Sequence, residues 1–280
     1  MRSVLVVSDI HVGHHLGLAH PNMKDPWGKP ATLNEGQEYL WHCWQHLIGE
    51  ARERKPSVLV INGDLLDGEG RLSAGNEQSS TITAWQQKMA VKVLEPLAAV
   101  ADEVWVVRGT PYHDGRLGID VEPVAAALGA RAERGNKDWH SHDTLDLDVD
   151  GVILNVHHEI QSGQYWYKST GFDREGALAA FAGMSGKFPQ AKCIVRSHLH
   201  YFMHVEHSSV HIVGTPCWQL QTFYMQRKSP YKMIPDLGAV YVEIDHGAHR
   251  EGEDPITIRK RLYRLPARRA VRSGVKADEE

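Results

Sequence analysis

The fold of this chain is decided by the stretch Val4-Leu5-Val6-Val7-Ser8-Asp9-Ile10-His11. Its four apolar, mostly β-branched residues predict a strand that is buried on both faces, as in the middle of a sheet. The chain turns polar at Ser8, so Asp9 and His11 follow at the carboxyl end of this strand. Because residues i and i+2 of an extended segment face the same way, both side chains can converge on one point. A carboxylate oxygen and an imidazole nitrogen at this spacing suit a divalent transition metal.

The same pattern, an apolar strand followed by a residue of ligand type, recurs along the chain. Residues 57–61 predict a second buried strand, which runs into Asp64, and residues 103–108 predict a third. Asp64 can bridge two cations because a carboxylate has two oxygens to share. Open α/β sheets place their chemistry at the carboxyl ends of the strands, so we predict a metal site at this edge. Seven residues of the right type fall there: Asp9, His11, Asp64, His113, His157, His198 and His200.

The order of predicted elements indicates an α/β fold. Helical patterns cover residues 34–54, 82–100, 119–128 and 173–184. From residue 144 apolar and polar residues alternate, and Asp150-Gly151 between two such runs predicts a β-hairpin. Further strands are predicted at 193–196, 239–244 and 256–263, with another hairpin at 202–213. We find no repeat and no linker, so we predict a single domain over residues 1–265 and a disordered tail over 266–280.

Composition and charge exclude several classes of protein. The chain has 280 residues and a net charge of -4, which gives no global basic field for tight, non-specific binding to duplex DNA. Its three cysteines have no C-x-x-C spacing, which argues against a disulfide framework and a zinc ribbon. No apolar run approaches the ~18 residues of a membrane span, and the first residues lack the pattern of a signal peptide. We therefore predict a cytoplasmic protein without a membrane partner.

The order of the motifs resembles that of the calcineurin-like metallophosphoesterases. The family pattern is Asp-x-His, Gly-Asp-x-x-Asp, Gly-Asn-His-Asp/Glu, a later histidine and Gly-His-x-His. The matching segments here are Asp9-Ile10-His11, Gly63-Asp64-Leu65-Leu66-Asp67, Gly109 with His113-Asp114, His157, and Ser197-His198-Leu199-His200. The resemblance spans roughly residues 4–200. It implies two mixed β-sheets packed as a four-layer sandwich flanked by helices, with a dinuclear metal site at the strand ends.

The resemblance also implies roles for individual residues. Matched by position, one of two divalent ions (Mn, Fe, Zn or Co) would be held by Asp9, His11 and His200. The other would be held by His157 and His198, with Asp64 between the two ions. The catalytic set would be His113, the following Asp114, which could orient it, and Asp67 next to the ligands.

The sequence departs from the family pattern in the third motif. Gly109-Thr110-Pro111-Tyr112-His113 stands where the family has Gly-Asn-His, so the asparagine is missing and two residues are inserted. Thr110 can supply a weaker hydroxyl ligand, or water can fill the position. The sequence does not decide firmly between His157 and His158, and His157 is favoured because it comes first after its strand.

The resemblance implies a metal-dependent phosphoesterase. We expect a phosphodiesterase acting on nucleotides or nucleic acid, including a nuclease on short or single-stranded substrates. Tyr112 and Trp166 lie in predicted loops near the site and either stack bases or pack the loops, with Arg108 near phosphate. The alternatives are a phosphomonoesterase of small molecules or proteins and a metal-free binding scaffold. The scaffold is the weakest, because it would have no reason to retain six ligand-type residues. The oligomeric state is left open.

Overall fold

The computed structural model describes residues 1–266, apart from 134, 161–166, 209, 229–230 and 232. The predicted disordered tail therefore lies outside the described residues from 267 onward. The strands in the described residues are β1 (Arg2–Val7), β2 (Val58–Asn62), β3 (Glu103–Val107), β4 (Ser141–His142), β5 (Thr144–Val149), β6 (Val152–His157), β7 (Cys193–Arg196), β8 (Met203–His207), β9 (Val210–Gly214), β10 (Leu237–Ile244) and β11 (Ile256–Tyr263). The α-helices are α1 (Glu35–Arg54), α2 (Thr83–Ala98), α3 (Glu122–Ala127), α4 (Thr170–Met184), α5 (Phe223–Lys228) and α6 (His246–Glu251).

The strands form two mixed sheets, which confirms the predicted fold class. The first sheet has the order β11-β10-β1-β2-β3-β4, in which β1 runs parallel to β2 and antiparallel to β10. The second has the order β5-β6-β7-β9-β8, with parallel pairs in the middle and an antiparallel pair at each edge. The first strand is central, as its buried sequence predicts.

The alternation of side chains along β1 explains the layered architecture. Val4 and Val6 pack in a core between the two sheets, together with residues of β5, β6 and β7. Leu5 and Val7 point to the opposite face and pack against α1 and α2. A third core lies on the outer face of the second sheet, where Phe172 of α4 packs on β7 and β9. Because successive side chains of a strand point to opposite faces, one apolar run can serve two cores.

The helices begin and end largely where the sequence predicts. At the start of α1, the Asn34 side chain accepts from the Gln37 N–H and the Gln37 side chain accepts from the Asn34 N–H, which is a capping box. The predicted helix at 119–128 is shorter, because a 3-10 turn at 116–121 precedes α3. The short α5, α6 and β4 were not predicted. Among the described residues, no helix combines the length and apolarity needed to cross a bilayer.

Candidate metal centre

Sharp backbone turns at the ends of β1 and β2 bring the first candidate ligands together. The Asp9 N–H donates to the Gly63 carbonyl at 3.0 Å, and the His11 N–H donates to the Asp64 carbonyl at 3.0 Å. Asp9, His11 and Asp64 have φ angles of 52°, 48° and 47°. These values lie in the left-handed region, which few non-glycine residues adopt and in which Asp and His are enriched. The side chains therefore converge through turns, and not along an extended segment as predicted.

Two glycines make room for this arrangement. Gly63 has a φ of 76°, and a Cβ at this position would collide with the His158 ring and the Gly109 backbone. A Cβ at Gly109 would collide with the backbone and carboxylate of Asp64. Because glycine has no side chain, the loops after β2 and β3 can pack directly on the candidate ligands.

The first ligand cluster consists of Asp9, His11 and His200. The Nε2 atom of His200 lies 3.2 Å from Asp9 Oδ1 and 3.2 Å from His11 Nε2. All three residues are buried, and His200 also has a left-handed φ of 58°. One carboxylate and two imidazoles facing one point form a donor set suited to a divalent transition metal.

The second cluster consists of Asp64, His158 and His198. His158 Nε2 lies 3.1 Å from Asp64 Oδ2, and His198 Nδ1 lies 3.8 Å from the same oxygen. Asp64 and His158 are buried, whereas the His198 side chain is 42% exposed and faces the cavity described below. The donor set again combines one carboxylate with two imidazoles.

The structure corrects the choice between His157 and His158. His157 is the last residue of β6, and its Nδ1 donates to the Asp143 carbonyl at 2.9 Å, away from Asp64. His158 is the next residue, so its side chain points to the opposite side and reaches the cluster. Its Nδ1 donates to the Asn62 carbonyl at 2.7 Å, which leaves Nε2 directed at Asp64.

Buried polar atoms at the junction of the two clusters fit divalent cations. Asp9 Oδ1 and His158 Nε2 are buried and lie 3.9 Å apart, and the short contacts that they make with His200 and Asp64 lack the geometry of hydrogen bonds. A buried polar atom without a partner costs free energy, so such atoms call for an explanation. A cation ligated by the two clusters would satisfy both atoms, and the donor types agree with that explanation.

The charges of the centre are arranged around the buried carboxylates. Burial alone would raise the pKa of Asp9, but the imidazoles of His200 and His158 lower it to about 2. Burial would lower the pKa of His158, but Asp64 and Asp9 raise it to about 10. The carboxylates therefore favour the ionised form, and the imidazoles of His158 and His200, whose pKa values are raised, supply the compensating charge. A bound cation would take over this charge while displacing their protons.

Thr110 contacts Asp64 as a hydrogen-bond donor. Its backbone N–H and its hydroxyl donate to Asp64 Oδ1, at 2.7 and 2.9 Å. The sequence suggested that this hydroxyl could act as a weak metal ligand. In the structure it instead orients the carboxylate, whose other oxygen faces His158.

His113 and Asp67 lie beside the two clusters. The Nδ1 of His113 donates to the Asp67 carbonyl at 3.1 Å, and its ring meets that of His11 edge to face at a centroid distance of 4.5 Å. The Asp67 carboxylate accepts from His11 Nδ1 at 3.1 Å, which leaves His11 Nε2 free to ligate. His113, with its ring partly exposed to the cavity, is thus held by Asp67.

Asp114 does not orient His113, contrary to the expectation. Its carboxylate is fully buried and accepts from the Leu66 N–H at 3.1 Å and the Gly109 N–H at 2.8 Å. Burial and the nearby charge of Asp64 raise the pKa of Asp114 to about 7. Asp114 therefore joins the loops after β2 and β3 and is a positioning residue.

The family model for calcineurin-like phosphoesterases matches residues 2–202, which is most of the chain. The chain belongs to this family. The match covers the strands and turns that carry both ligand clusters. Residues 203–266, which include β8 to β11, lie beyond it.

Several solved structures resemble this chain. Vps29 of Entamoeba histolytica complexed with Zn²⁺ has 13% identity and a TM-score of 0.42, and the match covers 93% of this chain and 98% of that one. An archaeal phosphodiesterase has 9% identity and a TM-score of 0.42, covering 93% and 99%. Vps29 of Chaetomium thermophilum has 11% identity and a TM-score of 0.40, covering 95% and 100%. No curated protein sequence matches the chain significantly. These identities are too low to indicate a substrate.

Four residues of the two clusters, His11, Asp64, His198 and His200, line a cavity of about 540 Å³. Tyr112 and Leu72 line one side, and the Leu72 N–H donates to the Tyr112 hydroxyl at 3.1 Å. An apolar and aromatic wall also lines the cavity: Leu199, Tyr201, Tyr224, Met225, Met233, Ile234 and Pro235. Apart from Leu199, these residues lie in segments that the motifs did not indicate. The sequence of residues 220–235 has no periodicity, so only the structure identifies this wall.

Among the described residues that were predicted to contact substrate, Arg108 does not line the cavity. Arg108 donates to the Ser141 hydroxyl at 3.0 Å and to Asp143 at 2.8 Å, and its guanidinium stacks over Trp139, so it is not free to bind phosphate. Trp166 lies outside the described residues. Lys168 is the one lysine or arginine among the described residues that line the cavity.

Proposed function

We propose that this chain is a metal-dependent phosphodiesterase that hydrolyses nucleotides or single-stranded nucleic acid. One observation carries the proposal. Two adjacent clusters, each of one buried aspartate and two histidines, contribute side chains to the lining of a cavity that also has apolar and aromatic residues.

The ligand sets follow from the contacts of the two clusters. Asp9, His11 and His200 would hold one divalent cation, and Asp64, His158 and His198 would hold the other. At these positions, the cations would supply charge that neutralises phosphate oxygens and lowers the pKa of a water molecule. Thr110 fixes Asp64, and the Asp67 carboxylate fixes the His11 ring, so both ligands are held before substrate binds.

His113 is the candidate general acid. Its Nδ1–H is held by the Asp67 carbonyl, so Nε2 is the atom free to exchange a proton with a substrate. The ring lines the cavity beside His11 and Asp64. A protonated Nε2 at this position would donate to the leaving oxygen, a task suited to an imidazole near neutral pH.

The distribution of charge favours a diester over a monoester. A phosphate diester carries one negative charge, whereas a monoester carries close to two at neutral pH. Lys168 is the single lysine or arginine in the described lining of the cavity. Arg108 and Arg196 are paired with Asp143 and Glu175, so neither adds positive charge for a phosphate group. The apolar wall offers a surface for the second ester group, and base stacking on aromatic rings is favourable.

The test compares two substrates in the presence of Mn²⁺. The kcat/KM for bis(p-nitrophenyl) phosphate should exceed that for p-nitrophenyl phosphate. Asp64→Asn should abolish the activity, and His113→Ala should lower kcat by about 10²- to 10⁴-fold, as for loss of a general acid. A preference for the monoester would instead indicate a phosphomonoesterase. A chain that binds no metal and has no activity would indicate a scaffold.

Two variants of Tyr112, assayed with a dinucleotide substrate, test base recognition. If Tyr112 stacks a base, Tyr112→Ala should raise KM for a dinucleotide by about 5- to 150-fold, because stacking is worth about 1 to 3 kcal/mol per base. Tyr112→Phe is the matched control, since it keeps the ring and loses only the hydroxyl. An unchanged KM in the alanine variant would remove Tyr112 from the substrate site.

A further inference from the structure

A second group of ligand-type side chains lies on the hairpin formed by β8 and β9, outside the cavity. His204 Nε2 is 3.0 Å from His211 Nδ1, and Glu206 Oε2 is 4.0 Å from the same nitrogen. None of these three residues lines the cavity of the phosphoesterase centre. The hairpin lies beyond residue 202, where the match to the family model ends.

The register of the hairpin explains why the three side chains meet. Glu206 is paired directly with His211 across the two antiparallel strands, and His204 is two residues from Glu206 on the same strand. Side chains i and i+2 share a face, and directly opposed residues have close Cβ atoms. His204, Glu206 and His211 therefore share one face, whereas Val205 packs on the other face with α4.

His211 is held in the orientation of a metal ligand. Its Nε2–H donates to Asp254 Oδ2 at 2.8 Å, so Nδ1 is the nitrogen that carries the lone pair, and this nitrogen lies 3.0 Å from His204 Nε2. That nitrogen faces His204 and Glu206. A histidine whose second nitrogen donates to a carboxylate is the usual arrangement around a protein-bound metal, because the carboxylate fixes the ring and its tautomer.

We propose that His204, Glu206 and His211 form an additional zinc site, separate from the phosphoesterase centre. Two imidazoles and one carboxylate are a common zinc donor set, and the three ligand atoms lie within 4.8 Å of one another. Glu206 is 60% exposed, so solvent can complete a tetrahedral shell. Because β8 is the edge strand, the ion would join it to β9, which Asp254 already connects to the start of β11.

Equilibrium dialysis of the full chain against micromolar Zn²⁺, followed by elemental analysis, tests the site. Glu206→Gln and His204→Gln should each bind one zinc per chain fewer than the wild type. Both positions are at least partly exposed and both substitutions keep a polar side chain, so the variants should fold. His207→Gln is the matched control on the same strand, because His207 points to the other face and contacts Asp173.

Activity separates this site from the phosphoesterase centre. The hairpin variants should keep the wild-type rate of diester hydrolysis with Mn²⁺, whereas Asp64→Asn should lose the rate and retain the hairpin zinc. Equal zinc content in the wild type, Glu206→Gln and His204→Gln would overturn the proposal. It would leave His204, His211 and Asp254 as a chain of hydrogen bonds only.

Discussion

Replacement of Thr110 by valine isolates one hydrogen bond to the buried Asp64 carboxylate. The two side chains have nearly the same shape, so the substitution removes the hydroxyl without opening a cavity. Asp64 is 1% exposed, and its Oδ1 accepts from the Thr110 N–H at 2.7 Å and the hydroxyl at 2.9 Å. A hydrogen bond to a charged group contributes about 1.5 to 3 kcal/mol. Because the backbone donor remains, we expect a loss near the lower end of this range.

Urea unfolding in the presence of a chelator measures the loss directly, since no bound metal then contributes. The free energy of unfolding of Thr110→Val should fall by about 1.5 kcal/mol, and Thr110→Ser should stay close to the parent. In a metal titration of diester hydrolysis, the valine variant should also require more Mn²⁺ for half-maximal rate. A valine variant as stable and as active at every Mn²⁺ concentration as the parent would refute the role assigned to this hydroxyl.

Three further predictions test the ligands and the scaffold. His158→Ala should lower the rate of diester hydrolysis by about 100-fold or more, since loss of a ligand must exceed the 10- to 100-fold effect of losing a residue that supports a ligand. His157→Ala should lower the rate by less than about twofold, and equal rates in the two variants would contradict the ligand assignment. His198→Gly should be inactive yet about 0.5 to 1 kcal/mol more stable in urea, because glycine relieves the left-handed φ of 68° at less cost than histidine. Burial would raise the pKa of Glu122, but hydrogen bonds from Ser141 and His140 lower it below the ordinary glutamate value. The ionised Glu122 therefore stabilises the fold above the ordinary pKa of about 4.3, and this stabilisation is lost as pH falls through the lower pKa of the folded state. Acid unfolding of Glu122→Gln should accordingly depend less on pH than that of the parent.

The sequence predicts the sheet and the edge at which the centre lies because both depend on local patterns. Apolar runs such as residues 4–7 mark buried strands, and each change to a polar residue marks a strand end. The helix start at Asn34 and the Asp150-Gly151 hairpin turn are equally local, and both are confirmed. The short β4 has no such signal, because two residues show no periodicity.

The sequence alone does not show which of two neighbouring histidines, His157 or His158, faces the candidate metal centre. His157 and His158 differ by one position, and their order in the chain does not show where β6 ends relative to its partners. In the structure β6 ends at His157, whose Nδ1 donates to the Asp143 carbonyl beside β5. A shift of one residue exchanges the two faces of a strand, so the register of a distant pairing determines which of the two histidines faces the cluster.

Hydrogen-bond partners from distant segments of the chain also determine which charged residues reach the cavity. Arg108 follows β3 directly, and the sequence predicts that it lies near phosphate. In the structure, Ser141 of β4 and Asp143 in the following turn bind its guanidinium. Asp114 follows His113, yet its carboxylate is taken by the backbone donors of Leu66 and Gly109. Proximity in sequence predicted neither outcome, because the competing donors and acceptors come from other segments.

The backbone at the candidate ligands shows that the scaffold sets the geometry of the centre. Five of the nine described non-glycine residues with positive φ are candidate ligands: Asp9, His11, Asp64, His198 and His200. Such conformations cost free energy and persist only where the surrounding structure fixes them. Here the turns are held by backbone hydrogen bonds between the loops, including that from the Trp218 N–H to the Asp9 carbonyl at 2.9 Å, and by three packed cores beneath them. The stability of the sheets therefore offsets the strain of the turns. For this reason we expect removal of metal to leave the fold and the positions of the ligands largely intact, and substitution of a ligand to affect binding before it affects folding.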